Sequence, residues 1–415
     1  MTCPDHVLAN GAGGRVLLPR IGWAGQVCDL EIAGGRLASA TPSASAAGLA
    51  EPEWTALVPL RNWHCHLDKS LIGERWVSRS AGRSVRAIAC AEPQLRRGLT
   101  RHGSHRAADL LAAMAAVGTV AVRSHIDIGT AYGLTNLTDV QAACKQLGRV
   151  VDCELVAFPQ QGLRARGVVA LMAEALQAGA HVVGGLDPGG FDGDIEGGLD
   201  VIFRLAADAD APIDIHLHDQ GETGLRTIRR LADLTLQASL QGRVAVSHAL
   251  VLGELDAATL AEVADLLALA GIQVITGVVP ECPVPPVGEL LRAGVAVGIG
   301  SDNVADLWSP FGSPDVLVKA RALAERSGWA ADQQLTLAAG LAQQGGRLPE
   351  PGETADLLLV RARNAAEALA RCPASRLLLL GGVPVAGRGS GPAQWQRWTG
   401  TAPDGVIVDQ GDYVS

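Results

Sequence analysis

The chain has 415 residues, of which 48% are hydrophobic and 19% are charged, a composition usual for a packed globular protein. Its formal net charge is −9 at pH 7 and its arginines are scattered along the chain. Both facts argue against a nucleic-acid-binding surface, which needs a basic stripe. No run approaches the ~18 apolar residues of a membrane-spanning helix. We therefore expect neither a nucleic-acid nor a membrane partner.

The cysteines and the first residues indicate the cellular compartment. None of the eight cysteines belongs to a Cys-x-x-Cys pair, and scattered thiols in a long chain are typical of reduced cytosolic proteins. Residues 1–10 contain no apolar stretch of the length that a secretion signal needs. The sequence therefore predicts a cytoplasmic protein.

In chain order, the first predicted elements are short strands. Residues 15–18 and 29–32 are largely apolar, and Gly34-Gly35 provides a turn, a pattern typical of β-hairpins. Residues 41–50 are rich in Ala, Ser, Pro and Gly and are predicted to form a loop.

The middle of the chain alternates between strand-like and helix-like segments. Most of the strand-like runs are dominated by Val, Ile and Leu, as expected for strands buried on both faces. Helices are predicted between them, including one capped by Ser104 that runs to Val117, one over 168–178 and one over 257–270. The eight runs cover 55–63, 118–127, 150–158, 181–187, 212–218, 243–248, 271–276 and 295–301. Eight such repeats predict an α/β protein with a (β/α)8 barrel.

The last predicted elements are strands again, within residues 353–386. We expect them to pair with the N-terminal strands in one small β domain beside the barrel. The predicted limits are residues 1–58 and 347–415 for the two parts of that domain and 59–346 for the catalytic barrel. Loops at 72–99 and 191–198 are expected to shape the pocket.

Polar side chains follow four of the apolar runs. His64 and His66 share one face of a strand because side chains alternate, while His216, His248 and Asp302 each lie at the end of a later run. Imidazole and carboxylate ligands suit Zn²⁺ or Fe²⁺. This arrangement predicts a metal site and hydrolytic chemistry at the mouth of the barrel.

Plainer interpretations of these residues remain open. A buried histidine is commonly a satisfied core residue, and Asp302 would also serve as a helix N-cap or a turn residue. His125 and Asp127 end another strand, where they would contact the metal-ligating side chains rather than the metal itself. Lys69 is expected to form an ion pair with a neighbouring carboxylate rather than take part in chemistry.

With these motifs in place, the chain resembles the amidohydrolase superfamily, and within it the cytosine-deaminase-like branch that includes the N-isopropylammelide isopropylaminohydrolases. The resemblance covers nearly the whole chain, and its motifs keep a consistent order. The matching segments are 62–69, 122–127, 156–160, 213–216, 247–249 and 301–303 together with Trp308.

The resemblance implies a metal-dependent hydrolase barrel of the TIM type, with a small β-sandwich domain formed by both termini. It implies that His64, His66, His216 and Asp302 hold one divalent metal ion, with Zn²⁺ expected and Fe²⁺ the alternative. His248 would lie beside the water or the substrate. The residues expected to bind the substrate are Phe158, Gln160, Asn303 and Trp308. A homo-oligomer is also implied.

Three positions depart from relatives of this kind. Cytosine deaminases have a glutamate where this chain has Asp219, and an aspartate where it has Asn303. Binuclear relatives have a carboxylated lysine on the fourth barrel strand, and the run 181–187 contains none. A mononuclear site follows from the missing lysine. The His218-Asp219 pair looks more like the isopropylammelide hydrolases, so cytosine is in doubt as the substrate.

The residues agree with a simple chemical scheme. A bound metal lowers the pKa of its water to roughly 7 and supplies hydroxide for attack on an amidine-like ring carbon. The leaving nitrogen must then gain a proton, for which His218 and Asp219 are equal candidates. His248 would stabilise the developing charge and Asp302 would accept a proton from the water. Gln160 offers a donor and an acceptor to the ring edge.

The sequence thus predicts a deaminase or aminohydrolase that cleaves an exocyclic C–N bond of a pyrimidine, pterin or amino-triazine ring and releases ammonia or a small amine. Two alternatives stay open: a hydrolase that opens a cyclic amide, and a non-catalytic protein on the same fold. Loss of ligands would be expected in the second, because a fold alone does not fix a function.

Overall fold

The computed structural model describes residues 15–44, 51–78, 84–388 and 407–408. Within them the strands form two eight-stranded sheets. The strands are β1 (Arg15–Trp23), β2 (Gln26–Ala33), β3 (Arg36–Pro42), β4 (Trp54–Leu57), β5 (Leu60–Cys65), β6 (Thr119–Asp127), β7 (Asp152–Phe158), β8 (Val182–Leu186), β9 (Ile213–His216), β10 (Val244–Ser247), β11 (Gln273–Thr276), β12 (Val297–Ile299), β13 (Leu357–Val360), β14 (Arg376–Leu380), β15 (Val383–Arg388) and β16 (Ile407–Val408).

One sheet is the predicted barrel. Strands β5 to β12 follow one another in sequence order, and all of the pairings between them are parallel. Every predicted strand-like run of the middle region supplies one of these strands. The amide of Asp302 donates to the carbonyl of His64 at 2.8 Å and closes the circle between the last strand and the first. The (β/α)8 prediction is confirmed.

The closure relies on a side chain and on a glycine. The Asn62 Oδ1 accepts from the amide of Ser301 at 2.9 Å, and its Nδ2 donates to the Ser301 hydroxyl at 2.7 Å. At Gly300 a Cβ atom would lie 2.4 Å from the Cβ of His64. Only glycine allows the two backbones to approach this closely.

Helices lie in the connections between the barrel strands, in the segment after the last barrel strand, and between two strands of the other sheet. They are α1 (Val85–Arg96), α2 (Gly103–Ala116), α3 (Thr135–Leu147), α4 (Val168–Gln177), α5 (Ile195–Ala209), α6 (Gly221–Gln237), α7 (Ala257–Leu269), α8 (Val287–Arg292), α9 (Val316–Arg326), α10 (Asp332–Gly340) and α11 (Ala365–Arg371). None of the helices in the described ranges is long and apolar enough to cross a bilayer.

Three details of the sequence prediction are wrong. Helix α2 begins after His102 and contains Ser104, whose hydroxyl bonds the His102 ring instead of a helix amide. The run 55–63 is two strands, β4 and β5, because Pro59 has no amide hydrogen and the chain changes sheets there. The segment 72–99 is not only a loop, since it contains α1.

The second sheet joins both ends of the chain, as predicted, in the order β16-β15-β14-β13-β4-β1-β2-β3. Its two halves curl toward each other, so that two turns from opposite halves come into contact. A Cβ on Gly35 would lie 3.0 Å from the carbonyl oxygen of Gly381. Leu18, Leu30 and Leu357 belong to the apolar core that the halves enclose. The exact domain limits stay a prediction, and residues 1–14, 45–50, 389–406 and 409–415 lie outside the described part of the chain.

A buried ion pair fixes the small domain to the barrel. Arg376 of β14 is 1% exposed, and its Nη1 donates to Asp315 Oδ1 at 2.8 Å and to the carbonyl of Val117 at 2.9 Å. Asp315 in turn caps α9 by accepting from the amide of Leu317. One side chain therefore links the small sheet to two helical segments around the barrel.

Replacing Arg376 by methionine is expected to lower the free energy of unfolding by about 3–5 kcal/mol, because the buried Asp315 carboxylate loses its partner. Denaturant unfolding followed by circular dichroism measures the effect. The control is Arg292→Met, which breaks an ion pair whose arginine is 74% exposed and should cost no more than about 1 kcal/mol. Equal effects of the two variants would show that the Arg376 pair does not anchor the domain.

Candidate metal centre and active site

The predicted ligands meet at the carboxyl ends of the barrel strands. His64 lies in β5, His66 follows that strand, His216 ends β9 and His248 comes directly after β10. Asp302 follows β12 and forms the closing bridge of the barrel with Cys65. The four histidines are each at most 4% exposed. Residues that are far apart in sequence are adjacent here because parallel strands present the same ends to one face of the barrel.

The distances within this cluster suit a metal ion. The Nε2 atoms of His64 and His66 each lie 3.6 Å from Asp302 Oδ1. Ligand atoms of His64, His66 and Asp302 all lie within 4.8 Å of one another, as do those of His64, His216 and His248. His64 is a member of both of these groups, which are drawn from the described residues. His248 is therefore as close to the cluster as the predicted ligands are.

Hydrogen bonds fix which nitrogen of two histidines is free. The Nδ1 of His66 lies 3.2 Å from the carbonyl oxygen of His125, so it must carry the proton. The hydroxyl of Ser247 donates to Asp214 at 2.7 Å, and therefore accepts from the Nδ1 of His64 at 2.9 Å. Both rings consequently present an unprotonated Nε2 toward Asp302, which is the form that binds a metal.

The pKa shifts within the cluster also favour the protonation states that bind a metal ion. Burial, followed by the effect of neighbouring cationic or imidazole groups, holds the pKa values of His66, His216 and His248 well below the usual value. Burial alone would raise the pKa of Asp302, but the approach of His64 and the other imidazoles holds it well below its usual range. Neutral imidazoles around an ionised carboxylate are the protonation states that a metal site requires.

Unpaired buried atoms provide an independent test of fit. The Nε2 of His64, both ring nitrogens of His216 and the Nδ1 of His248 are buried and have no hydrogen-bond partner among the described residues. Leaving so many buried polar atoms unsatisfied costs free energy unless something binds them. A divalent cation would bind one ring nitrogen of each ligating histidine, and imidazole nitrogens beside a carboxylate are a donor set that fits such an ion.

Strained backbone marks the same strand ends. His248 has φ 68°, Asp302 has φ 59° and Asp187 has φ 36°, all in the left-handed region that side chains other than glycine rarely adopt. Such conformations persist where the surrounding structure enforces them, commonly at functional sites. Asp187 directly follows β8, so it belongs to the same ring of strand ends.

Asp187 engages one of the two proton-transfer candidates. Its carboxylate accepts from the Nδ1 of His218 at 2.8 Å. Burial alone would lower the pKa of His218, but Asp187 and the other nearby carboxylates raise it. The His218 ring stacks on that of His248 with 4.4 Å between centroids.

The other candidate, Asp219, faces a loop. Its Oδ2 accepts from the amide of Gly190 at 2.8 Å, and burial together with Asp187 raises its pKa. A Cβ on Gly190 would lie 1.9 Å from the Asp219 carboxylate. Asp219 is thus packed against the connection between β8 and α5.

A buried ionic network lies on another side of the site. The Lys69 ammonium donates to Asp127, to Glu92 at 3.2 Å and to Gln160 Oε1 at 3.3 Å. Arg96 adds a second positive charge 3.7 Å from Glu92 and from Asp127. The ion pair predicted for Lys69 is therefore present, and burial raises the pKa of Asp127 to about 8 despite it.

The Lys69 contact orients the Gln160 side chain. An ammonium group only donates, so the atom facing it is the Gln160 carbonyl oxygen. That oxygen is already engaged, and the side chain keeps its amide NH₂ as the group available to a ligand. Gln160 is 5% exposed, which limits other orientations.

Aromatic and apolar side chains adjoin the histidine cluster. The Phe158 ring lies 4.2 Å from that of His216, and it packs in one cluster with Leu186, Phe191 and Trp308. The indole Nε1 of Trp308 donates to Glu92 at 2.8 Å. The histidine cluster therefore borders an apolar and aromatic surface, as is common in pockets that bind flat rings.

Asn303 is oriented by a residue that the sequence did not single out. Its Nδ2 donates to Asp306 Oδ2 at 2.7 Å, so its carbonyl oxygen is the free end of the amide. Asp306 is 3% exposed, and its burial raises its pKa to about 7.

The structure thus brings together all the predicted ligands and the four predicted substrate-binding positions, and it adds three acidic residues. Asp187 ends the run 181–187, so the strand-end criterion applied to the other ligands would have found it. Glu92 lies on α1 and Asp306 in a loop. Glu92 has no local sequence signal, because its partners Lys69 and Trp308 are distant in the chain. The partners of Asp306 are its neighbours Asn303, Trp308 and Ser309, so a loop carboxylate beside the predicted residues was the available signal.

Comparison with known proteins gives a consistent result. The sequence profile of the amidohydrolase family matches residues 94–386. The uncharacterized protein YahJ of Escherichia coli K12 is 36% identical over 75% of this chain and 70% of its own length. An N-isopropylammelide isopropyl amidohydrolase of Pseudomonas sp. strain ADP is 35% identical over 48% of this chain and 50% of its own. A pterin deaminase of Rhizobium rhizogenes is 25% identical over 61% of each chain.

Solved structures show the same fold. The N-isopropylammelide isopropylaminohydrolase of Burkholderia multivorans superposes with a TM-score of 0.82 at 32% identity, over 91% of this chain and 99% of that one. A 5-methylcytosine deaminase of Klebsiella pneumoniae superposes with a TM-score of 0.75 at 22% identity, over 91% and 99% of the two chains.

Replacing Asp187 by asparagine is expected to lower the pKa of His218, because the negative charge that stabilises the imidazolium is removed. Histidine side-chain NMR over a pH series measures the shift, and the spectrum of His218→Gln assigns the resonance. Asp192→Asn, a change at another carboxylate of the same connection, should leave this titration where it is. An unchanged His218 titration in Asp187→Asn would show that the pair does not interact in solution.

Proposed function

Because this chain belongs to the amidohydrolase family, we propose that it is a metal-dependent hydrolase that cleaves an exocyclic C–N bond of a nitrogen heteroaromatic ring. The products are the ring carbonyl compound and ammonia or a small amine. The observation that carries the proposal is the convergence of His64 with His66 and Asp302 on one side and with His216 and His248 on the other, beside an apolar cluster.

His64, His66, His216 and Asp302 are the proposed metal ligands. His248 lies close enough to His64 and His216 to join them, or to contact the bound substrate. When bound, a divalent ion such as Zn²⁺ or Fe²⁺ lowers the pKa of water and makes it nucleophilic near neutral pH. The fourth barrel strand, β8, contains no lysine. The site is therefore proposed to hold one ion.

The neighbouring residues would hold and orient the ring. Phe158 and Trp308 supply flat apolar surface. The oriented amides present opposite chemistry, since Gln160 keeps a donor and Asn303 keeps an acceptor. A ring edge with a carbonyl or ring nitrogen near an N–H group complements this pair, as found in hydroxylated triazines, pterins and pyrimidinones.

His218 is the proposed proton shuttle. Its Nδ1 is bound to Asp187, so its Nε2, on the opposite side of the ring, is the atom that exchanges protons. Its pKa is raised by Asp187, which keeps the imidazolium available to protonate the departing nitrogen. Asp219 has the different task of holding the connection after β8 through the amide of Gly190.

Two relatives that act on an N-isopropyl-substituted triazine support an amino-triazine as the first candidate, and the pterin deaminase supports a pterin as the second. A cyclic-amide hydrolase is the less favoured enzyme, because no lysine is available on β8 for a second ion. A non-catalytic role is disfavoured because the sequence retains every proposed ligand and their side chains lie in or beside one buried cluster.

The first test is ammonia and amine release from a panel of amino-triazines, pterins, cytosine and isocytosine, with protein loaded with Zn²⁺ or Fe²⁺. We expect turnover of one ring class at about one metal ion per chain. His64→Ala should lose both the metal and the turnover, and His102→Ala, at a solvent-exposed histidine, should lose neither. Stoichiometric metal without turnover of any ring would refute this reaction class and favour cyclic amides.

The proton shuttle is tested with the substrate so found. His218→Gln should lower kcat about 10²–10⁴-fold, the range of general acid–base catalysis, while its metal content stays at the wild-type value. Asp219→Asn should lower kcat less than about tenfold, since Gly190 can still donate to an amide oxygen. The reverse order of the two losses, measured by steady-state kinetics, would assign the shuttle to Asp219.

A further inference from the structure

Beneath the proposed ligands lies a hydrogen-bonded chain that ends on a buried aspartate. The Nδ1 of His64 donates to the hydroxyl of Ser247 at 2.9 Å, and that hydroxyl donates to Asp214 Oδ1 at 2.7 Å. Asp214 and Ser247 are 0% exposed and His64 is 1% exposed. The chain connects β5, β10 and β9 across the interior of the barrel.

Asp214 is held in place from its other oxygen. The Nη1 of Arg123 donates to Asp214 Oδ2 at 2.9 Å, and the Nε of Arg123 donates to Glu154 at 2.7 Å. The carboxylate therefore has a charged donor on one oxygen and the Ser247 hydroxyl on the other. A buried carboxylate with these partners cannot rotate without breaking a strong contact.

The direction in which these hydrogen bonds are donated determines which nitrogen of His64 carries the proton. Asp214 only accepts, so it takes the hydroxyl hydrogen of Ser247 and leaves the serine oxygen as an acceptor for His64. This ordering forces the His64 proton onto Nδ1 and leaves Nε2 bare and facing Asp302, 3.6 Å away. Without it, Ser247 is free to donate to His64, and the ring is free to place its proton on the metal-binding nitrogen.

We propose that Asp214 is a positioning residue for the metal centre, acting through Ser247 to fix the tautomer and the ring orientation of His64. This inference rests on the proposed function, because it takes His64 to be a metal ligand. Asp214 itself does not contact the metal or the substrate. Carboxylates that orient a ligating histidine commonly affect metal affinity about 10–100-fold.

The test measures metal binding rather than turnover. Wild-type protein, Asp214→Asn and Ser247→Ala are stripped of metal and titrated with Zn²⁺ against a chromophoric chelator. Both variants are expected to bind Zn²⁺ about 10–100-fold more weakly. Co²⁺-loaded protein supplies a second readout, because altered orientation of His64 should change the visible absorption bands of the bound Co²⁺.

Matched variants separate positioning from simple loss of a buried group. Asp315→Asn weakens another buried aspartate–arginine pair, and Thr235→Ala removes another fully buried hydroxyl, both away from the site. These controls should leave the Zn²⁺ dissociation constant within about threefold of wild type even where they lower the melting temperature. Ser247→Thr, which keeps a hydroxyl, should recover most of the affinity that Ser247→Ala loses.

The outcomes distinguish two failures. Wild-type protein that binds no stoichiometric metal would overturn both this inference and the proposed function. Stoichiometric binding in which Asp214→Asn and Ser247→Ala match the controls would overturn the positioning role alone. If Asp214→Asn does not fold, the comparison of Ser247→Ala with Thr235→Ala decides by itself.

Discussion

The closure of the barrel is the constraint on which the rest of the site depends. The amide of Asp302 bonds the carbonyl of His64, and the Asn62 side chain joins the same two strands where regular pairing ends. This contact places a carboxylate from the end of the chain's last barrel strand beside two histidines of its first. Because His64 and Asp302 belong both to the closing contact and to the proposed ligands, closure of the barrel positions two of those ligands.

Two regions with different electrostatics adjoin that closure, a cluster of neutral histidines and a network of ion pairs. The histidine cluster is kept neutral by burial, which favours a cation as its partner. In the network around Lys69 and Arg96, both cations pair with the buried Glu92 carboxylate, whose pKa they lower. The apolar cluster with Phe158 and Trp308 lies next to both. The proposed substrate, a neutral heteroaromatic ring with polar edges, would fit such a boundary.

Much of the fold was predictable because it depends on local patterns. Apolar runs of strand length, separated by helices that end at glycine, predict the barrel order, and the terminal hairpins predict the second sheet. The errors occurred at single residues within segments whose structure was otherwise predicted. The run 55–63 divides at Pro59 into two strands of different sheets, and Ser104 does not cap α2 because that helix already begins at Gly103.

The sequence by itself predicted which side chains meet in the cluster of proposed ligands, because histidines and an aspartate at strand ends must share one face of a parallel barrel. It also determined the family, through the order of its motifs. Only the tertiary structure decided which nitrogen of His64 and of His66 is free, how the amides of Gln160 and Asn303 are oriented, and which carboxylate accompanies His218. Except for the bond between Asn303 and Asp306 in one loop, these depend on hydrogen bonds between different strands or loops. No local pattern encodes the direction in which such a bond is donated.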